Sequence, residues 1–161
     1  VLMNEGASIG TTSHAQTRVG DLVAEAVRSG RFEDALVRER LGAGYVEERV
    51  LALLQDRLKR AILDGRRPDV DGSVLKVFTA ESGHRKAELA AWLQGAEGLL
   101  AGPSAPLHGR WQESLLARGA MTVGGGTVEV HRNGLGERAL GLPKEPRFDR
   151  DRPFKDLRVS G

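Results

Sequence analysis

An all-α fold, an antiparallel up-and-down helical bundle, is what this sequence predicts, and three observations predict it. Apolar residues recur at three-and-four spacing through long stretches of the chain. Those stretches are parted by short Gly- and Pro-containing links such as "GRRPDVDG" and "AGPSAPLHG", which fold one helix back along its neighbour. Alternating apolar and polar residues, the mark of a strand, are almost absent. With 161 residues the chain is long enough for one domain with a real core.

Each element follows in order. Residues 15 to 30 read as a helix, while "NEGASIGTTSH" before it contains Gly6 and Gly10, which weaken any helix there. From Asp34 to Asp64 the residues Leu36, Val37, Leu41, Tyr45, Val46, Val50, Leu53, Leu54, Leu58, Ala61 and Ile62 mark the face of a long amphipathic helix that stops at Gly65. A new N-terminus falls at Asp71 or Ser73, and the next long helix carries Leu75, Phe78, Ala80, Leu89, Trp92 and Leu93 before Gly95 and Gly98 close it. "AGPSAPLHG" is a loop by composition. "RWQESLLARGAMTV" is a shorter helix with Trp111, Leu115, Leu116 and Met121 on its apolar side. Glycines 124 to 126 break the chain, and Thr127 N-caps a last helix that Gly141 and Pro143 end. Residues 1–143 thus form the bundle domain; 144–161 are a charged tail, either disordered or laid over a partner.

Composition narrows the function. There is no cysteine, so disulfides, thiolate metal sites and a cysteine nucleophile are excluded, which suits a cytoplasmic location. No apolar run approaches the roughly 20 residues of a membrane span. Lys and Arg total 24 against 22 Asp and Glu, a net charge of +2 with 4% aromatic residues, so neither a basic stripe nor a base-stacking surface points to nucleic acid. No phosphate-loop or HExxH motif occurs. His14, His84, His108 and His131 lie at no ligand-like spacing, and no metal is expected.

The stretch "GGGTVEVHRNGLGERALGLPKEPR" resembles the closing signature of acyl-CoA dehydrogenases: a glycine-threonine turn, then Glu-hydrophobe-x-Arg-Asn, then Glu-Arg-x-Leu-Gly-Leu-Pro. "VLMNEGASIG", "GSVLKVFTAESGHRKAELA", "LQGAEGLL" and "WQESLLARGAMTVGGGT" join it in the family's order, so the resemblance covers most of the chain. It is a resemblance to the C-terminal helical domain. The family's N-terminal helical domain and middle β-domain have no counterpart in these residues, which implies a longer parent polypeptide.

The resemblance implies a reaction. A carboxylate removes the α-proton of an acyl-CoA thioester while the β-hydrogen leaves as hydride to N5 of FAD, giving the trans-2-enoyl-CoA. Charge developing on the thioester oxygen needs preorganised donors, each worth on the order of 3 kcal/mol in oxyanion holes. The base must be desolvated enough to work beside the substrate. In many members that base is a glutamate two residues before the turn threonine, where this chain has Gly125. A second branch, like the long-chain and isovaleryl-CoA dehydrogenases, carries its glutamate in a Leu-x-x-Glu-Arg motif on a distant helix, with a small residue in the turn. "LMNEG" places Glu5 at that position, with Gly6 where the arginine would follow. On this pattern Glu5 is the base and Gly125 lends its backbone N–H to the thioester oxygen.

For the cofactor, FAD, the resemblance puts Thr127 and Glu129 near its phosphate and adenosine portions. An N-cap threonine at a helix N-terminus suits an anion on physical grounds too. Gly95 and Gly98 fall where the family sets a glycine turn against a neighbouring subunit's flavin. The family's Arg-x-x-Phe-Gly motif is absent, and "DALVRERLGAGYVEERVL" stands instead, similar to members with divergent or sterol-related substrates. Dimers or tetramers, homo- or hetero-oligomeric, and an electron-transferring flavoprotein as electron partner also follow from the resemblance, as does a place in lipid metabolism of the fatty-acid β-oxidation kind. Three readings remain: the dehydrogenase itself, a non-catalytic subunit of a mixed oligomer, and a stand-alone helical oligomerisation module.

Overall fold

The computed structural model describes residues 17–144 and Pro153. Glu5 and Gly6, the charged tail beyond Lys144 and the stretch before Thr17 lie outside the described residues. Five α-helices make up the rest, with no strand among the described residues.

The first, α1 (Val19–Arg28), has Asp21 in its first turn and Arg28 in its last, each matched to the helix dipole. In α2 (Ala35–Leu63) the Asp34 carboxylate caps the start by accepting from the Leu36 N–H at 2.9 Å. Gly65, at φ +69°, ends it as expected. The third helix, α3 (Asp69–Gln94), begins directly after Pro68, earlier than the expected Asp71 or Ser73. Proline cannot continue a helix behind it, but its fixed φ suits the entry to one. Ser73 is therefore no cap: it lies inside the helix and is buried.

Gly95 stops α3 with a positive φ of +57°, and a 3₁₀ turn (Gly95–Leu99) follows. The segment read as a loop contains two further 3₁₀ turns, Gly102–Ser104 and Pro106–Gly109, each with a proline in its first turn. Next come α4 (Arg110–Val123) and α5 (Val128–Ala139), separated by the glycine turn.

α3 is the centre of the bundle and packs against each of the other four helices. Cross-helix pairs fix the directions. Arg57–Asp71 at one end and Glu47–Arg85 further along, both at 2.6 Å, show α2 antiparallel to α3. Lys76 with the Met121 carbonyl, and Gln94 with Gln112 at the far end, show the same for α4. The core joins Leu22, Ala26, Val37, Leu41, Leu89, Ala90, Leu93 and Trp111. A Cβ on Gly44 would sit 3.2 Å from Val19 Cγ2, so the bare residue lets α1 and α2 approach closely.

Inside that core lies a carboxylate. Glu25 is 2% exposed and accepts from the buried Trp111 Nε1–H at 3.2 Å and from Arg28 at 2.6 Å. Arg28 reaches on to Glu97 at 3.1 Å. The pairing with Glu25 first, and Glu97 second, holds the guanidinium above its ordinary range.

The apolar pattern was wider than the core. Val37, Leu41, Leu51 and Ala61 of α2 are buried, but Leu36, Tyr45, Val46, Leu53 and Ile62 are exposed, so this helix carries apolar residues on more than its core face. Likewise Leu116, assigned to the inner side of α4, is 83% exposed. The buried residue of that helix is Trp111.

Candidate functional site

The turn between α4 and α5 is built from backbone. Gly125 and Gly126 both take positive φ, +71° and +99°, a conformation that side-chain-bearing residues rarely adopt. Thr127 caps α5, its hydroxyl accepting from the Val130 N–H at 3.2 Å. Glu129 stands in the first turn of the helix, fully open to solvent. Its own backbone N–H first, then the Thr127 hydroxyl, hold its carboxyl below the usual carboxylate range, with Arg132 adding to the effect. Thr127, Glu129 and Gly125 are thus brought together at one end of the bundle.

Side chains from two other places hold this turn. Lys76 of α3 donates to the Met121 carbonyl at 2.5 Å and to the Gly124 carbonyl at 2.6 Å, taking up C-terminal carbonyls that α4 leaves without intrahelical partners. Burial pushes the Lys76 ammonium below its ordinary value. His131 of α5 bridges the buried Ser73 hydroxyl (Nδ1, 3.2 Å) and the Gly125 carbonyl (Nε2, 3.1 Å). A Cβ on Gly126 would lie 3.2 Å from His131 Nε2, so space as well as φ requires glycine there.

None of Ser73, Lys76 and His131 was legible as a site residue in the sequence. The available signal was polar: Ser73 and Lys76 stand three apart on a helix face that elsewhere packs inward, and such residues are buried only with partners.

Gly95 and Gly98 lie elsewhere. They sit at the C-terminal end of α3, about 28 Å from Lys76 along the helix axis. One cofactor in one copy of this chain cannot use both glycine turns at such a distance unless it is extended along the helix. At this second end a Cβ on Gly98 would meet the Ala91 carbonyl at 3.0 Å, so local packing alone demands that glycine. Gln112 bonds Gln94 and the Glu97 carbonyl there, and Arg31 and Arg40 stack on Trp92 at 3.9 and 4.3 Å.

Fold and site together define a class: a helical bundle domain that presents a braced, side-chain-free turn at the N-terminus of a capped helix. The family described as "Acyl-CoA dehydrogenase, C-terminal domain" matches residues 2–140. The chain belongs to that family. "Acyl-CoA dehydrogenase IpdE1" of Mycolicibacterium smegmatis is 35% identical over 128 residues, covering 78% of this chain and 30% of the relative. Its namesake from Mycobacterium tuberculosis is 31% identical over 129 residues, covering 79% of this chain and 32% of the relative. Among solved structures, the "Tcur3481-Tcur3483 steroid ACAD" superposes with a TM-score of 0.72 at 26% identity, over 79% of this chain and 34% of that one. The "ChsE4-ChsE5 complex from Mycobacterium tuberculosis" gives 0.63 at 27% identity, over 89% and 35%. This chain spans about a third of the length of the relatives it matches.

Proposed function

We propose that this chain is the C-terminal helical domain of one member of a hetero-oligomeric, FAD-dependent acyl-CoA dehydrogenase acting on a steroid-derived acyl-CoA. The observation that carries this reading is the likeness to two solved assemblies, each described by a pair of component names and one of them as a steroid ACAD. Membership of a mixed oligomer fits these relatives better than the fatty-acid-oxidising homotetramer that the wider family suggests. The bare turn agrees with it. A subunit with Gly125 in place of a turn glutamate offers backbone donors without a side chain, and the carboxylate must arrive from elsewhere.

In this reading the Gly125 N–H, backed by the Gly126 N–H, donates to the thioester oxygen as charge builds on it. A carboxylate takes the α-proton as the β-hydrogen departs with its electron pair. FAD, when bound, supplies the acceptor for that hydride. The residues present fit such a group: a turn without side chains admits a flat ring system, and the exposed first turn of α5 offers Thr127 and Glu129 to its remainder. Gly95 and Gly98, at the other end of α3, serve a neighbouring subunit's cofactor, so each subunit gives parts of two sites. Electrons pass on to an electron-transferring flavoprotein.

The test is to express the full-length polypeptide alone and with a sibling subunit, and to follow bleaching of the visible flavin band by steroid and fatty acyl-CoAs without oxygen. Flavin retention and bleaching only in the mixed assembly support the proposal. Glu5→Gln in that assembly then decides the base: lost bleaching assigns it to this chain, and unchanged bleaching assigns it to the sibling.

A further inference from the structure

Three successive glycines make the loosest turn a chain can form, because each residue without a Cβ has the widest choice of backbone conformations. Catalytic donors require the opposite, since their advantage over water lies in being aimed before the charge appears. Something outside the turn must therefore restrict it.

Two carbonyls in the turn are held by side chains. Lys76 Nζ holds Gly124 O at 2.6 Å and also grips Met121 O one turn back in α4. His131 Nε2 lies 3.1 Å from Gly125 O. A carbonyl can only accept, so Nε2 carries the hydrogen, and Nδ1 is left facing the Ser73 hydroxyl at 3.2 Å. The peptide unit is planar and trans, with its C=O and the next N–H pointing opposite ways. Holding Gly124 O therefore turns the Gly125 N–H away from Lys76, and holding Gly125 O turns the Gly126 N–H away from His131.

We propose that Lys76 and His131 are positioning residues that aim the Gly125 and Gly126 N–H groups by clamping the carbonyls behind them. This rests on the proposed dehydrogenase reading and adds the device that makes its donors effective. The clamp is anchored on two helices, α3 through Lys76 and Ser73, and α5 through His131, so the turn cannot drift with either alone. A half-buried lysine here has no use for packing, which an apolar side chain would serve at lower desolvation cost. Its ammonium supplies two donors to two carbonyls at once.

The experiment uses the assembled full-length flavoprotein with Lys76→Met, Lys76→Arg, His131→Leu and His131→Gln. Arg85→Ala is the control, since it breaks the Glu47 pair between α2 and α3 on the same helix as Lys76 but touches no turn carbonyl. Amide hydrogen exchange in the peptide 121–131 and steady-state kinetics on the best acyl-CoA are both read. Lys76→Met and His131→Leu are expected to speed exchange at 124–127 and to lower kcat by about tenfold or more while KM changes little. Arg at 76 and Gln at 131 restore donors to the same carbonyls and recover part of both readouts. Arg85→Ala leaves both unchanged. Exchange and kcat like wild type in folded Lys76→Met and His131→Leu overturn the proposal, as does equal loss in Arg85→Ala. Should Lys76→Met not fold, the His131 pair decides. If the wild-type assembly bleaches with no acyl-CoA, the dehydrogenase reading fails, while the exchange data still decide whether the clamp exists.

Discussion

Glu25 is the residue on which the interior most depends. A buried carboxylate is tolerable only if its lone pairs are met, and Trp111 and Arg28 meet them. Glu25→Ala strands the Trp111 N–H in the core and leaves Arg28 with Glu97 alone, so we expect a loss of about 2–4 kcal/mol in chemical denaturation. A loss under about 0.5 kcal/mol would mean that water replaces the carboxylate freely. The periodicity of apolar residues could not find this group, because it treats every Glu on a helix as outward-facing. Lys76 escaped notice for the same reason.

Lys76 also gives a pH dependence with a definite sign. Its folded-state pKa is depressed below the ordinary 10.5 by burial. In the window between the folded value and 10.5, the unfolded chain binds more protons than the folded one, so this group's contribution to stability rises with pH. Below the folded value its full desolvation cost is present. Urea midpoints taken as pH rises toward 10.5 should therefore climb more in wild type than in Lys76→Met. Parallel curves would remove the lysine from that account.

Among elements, α5 and its turn show what a sequence can and cannot reveal. Thr127 was readable as a cap, because a hydroxyl residue between a glycine break and a charged helix has one evident use, and it fills that use at Val130. Thr127→Ala should lower stability by about 1 kcal/mol. Because the same hydroxyl helps to hold Glu129 ionised, the substitution should also move that carboxyl back toward its ordinary 4.5, a shift readable by NMR titration. A Glu129 that titrates identically in both proteins would show that the hydroxyl does not reach it. The start of α3 was misplaced because Asp71 and Ser73 are good caps in isolation, whereas Pro68 had already set the entry. On α2 the apolar stripe was read correctly in kind and wrongly in use. Periodicity counts apolar residues without saying which neighbour covers them, and Val46 and Leu53 are exposed among the described residues.

At the scale of the whole molecule, unequal coverage is the main fact. The bundle has a well-formed core around α3 and Trp111, yet exposes Tyr45, Val46, Leu53, Leu63 and Leu116 on its surface. It also spans about a third of its relatives. Its two glycine turns stand at opposite ends of α3, which suits a domain that completes sites together with other polypeptide rather than enclosing one alone. The helical class and the turn were legible because both are local patterns. The partner we propose was not, since a single sequence holds no pattern of surfaces outside itself.

We propose that this domain serves a mixed acyl-CoA dehydrogenase, and anaerobic bleaching of the flavin is the test of that reading. The full-length polypeptide purified with its sibling should hold FAD and lose the visible flavin band on addition of a steroid acyl-CoA, while the polypeptide purified alone should do neither. A flavin-loaded homo-oligomer that bleaches by itself with a straight-chain fatty acyl-CoA would contradict the account.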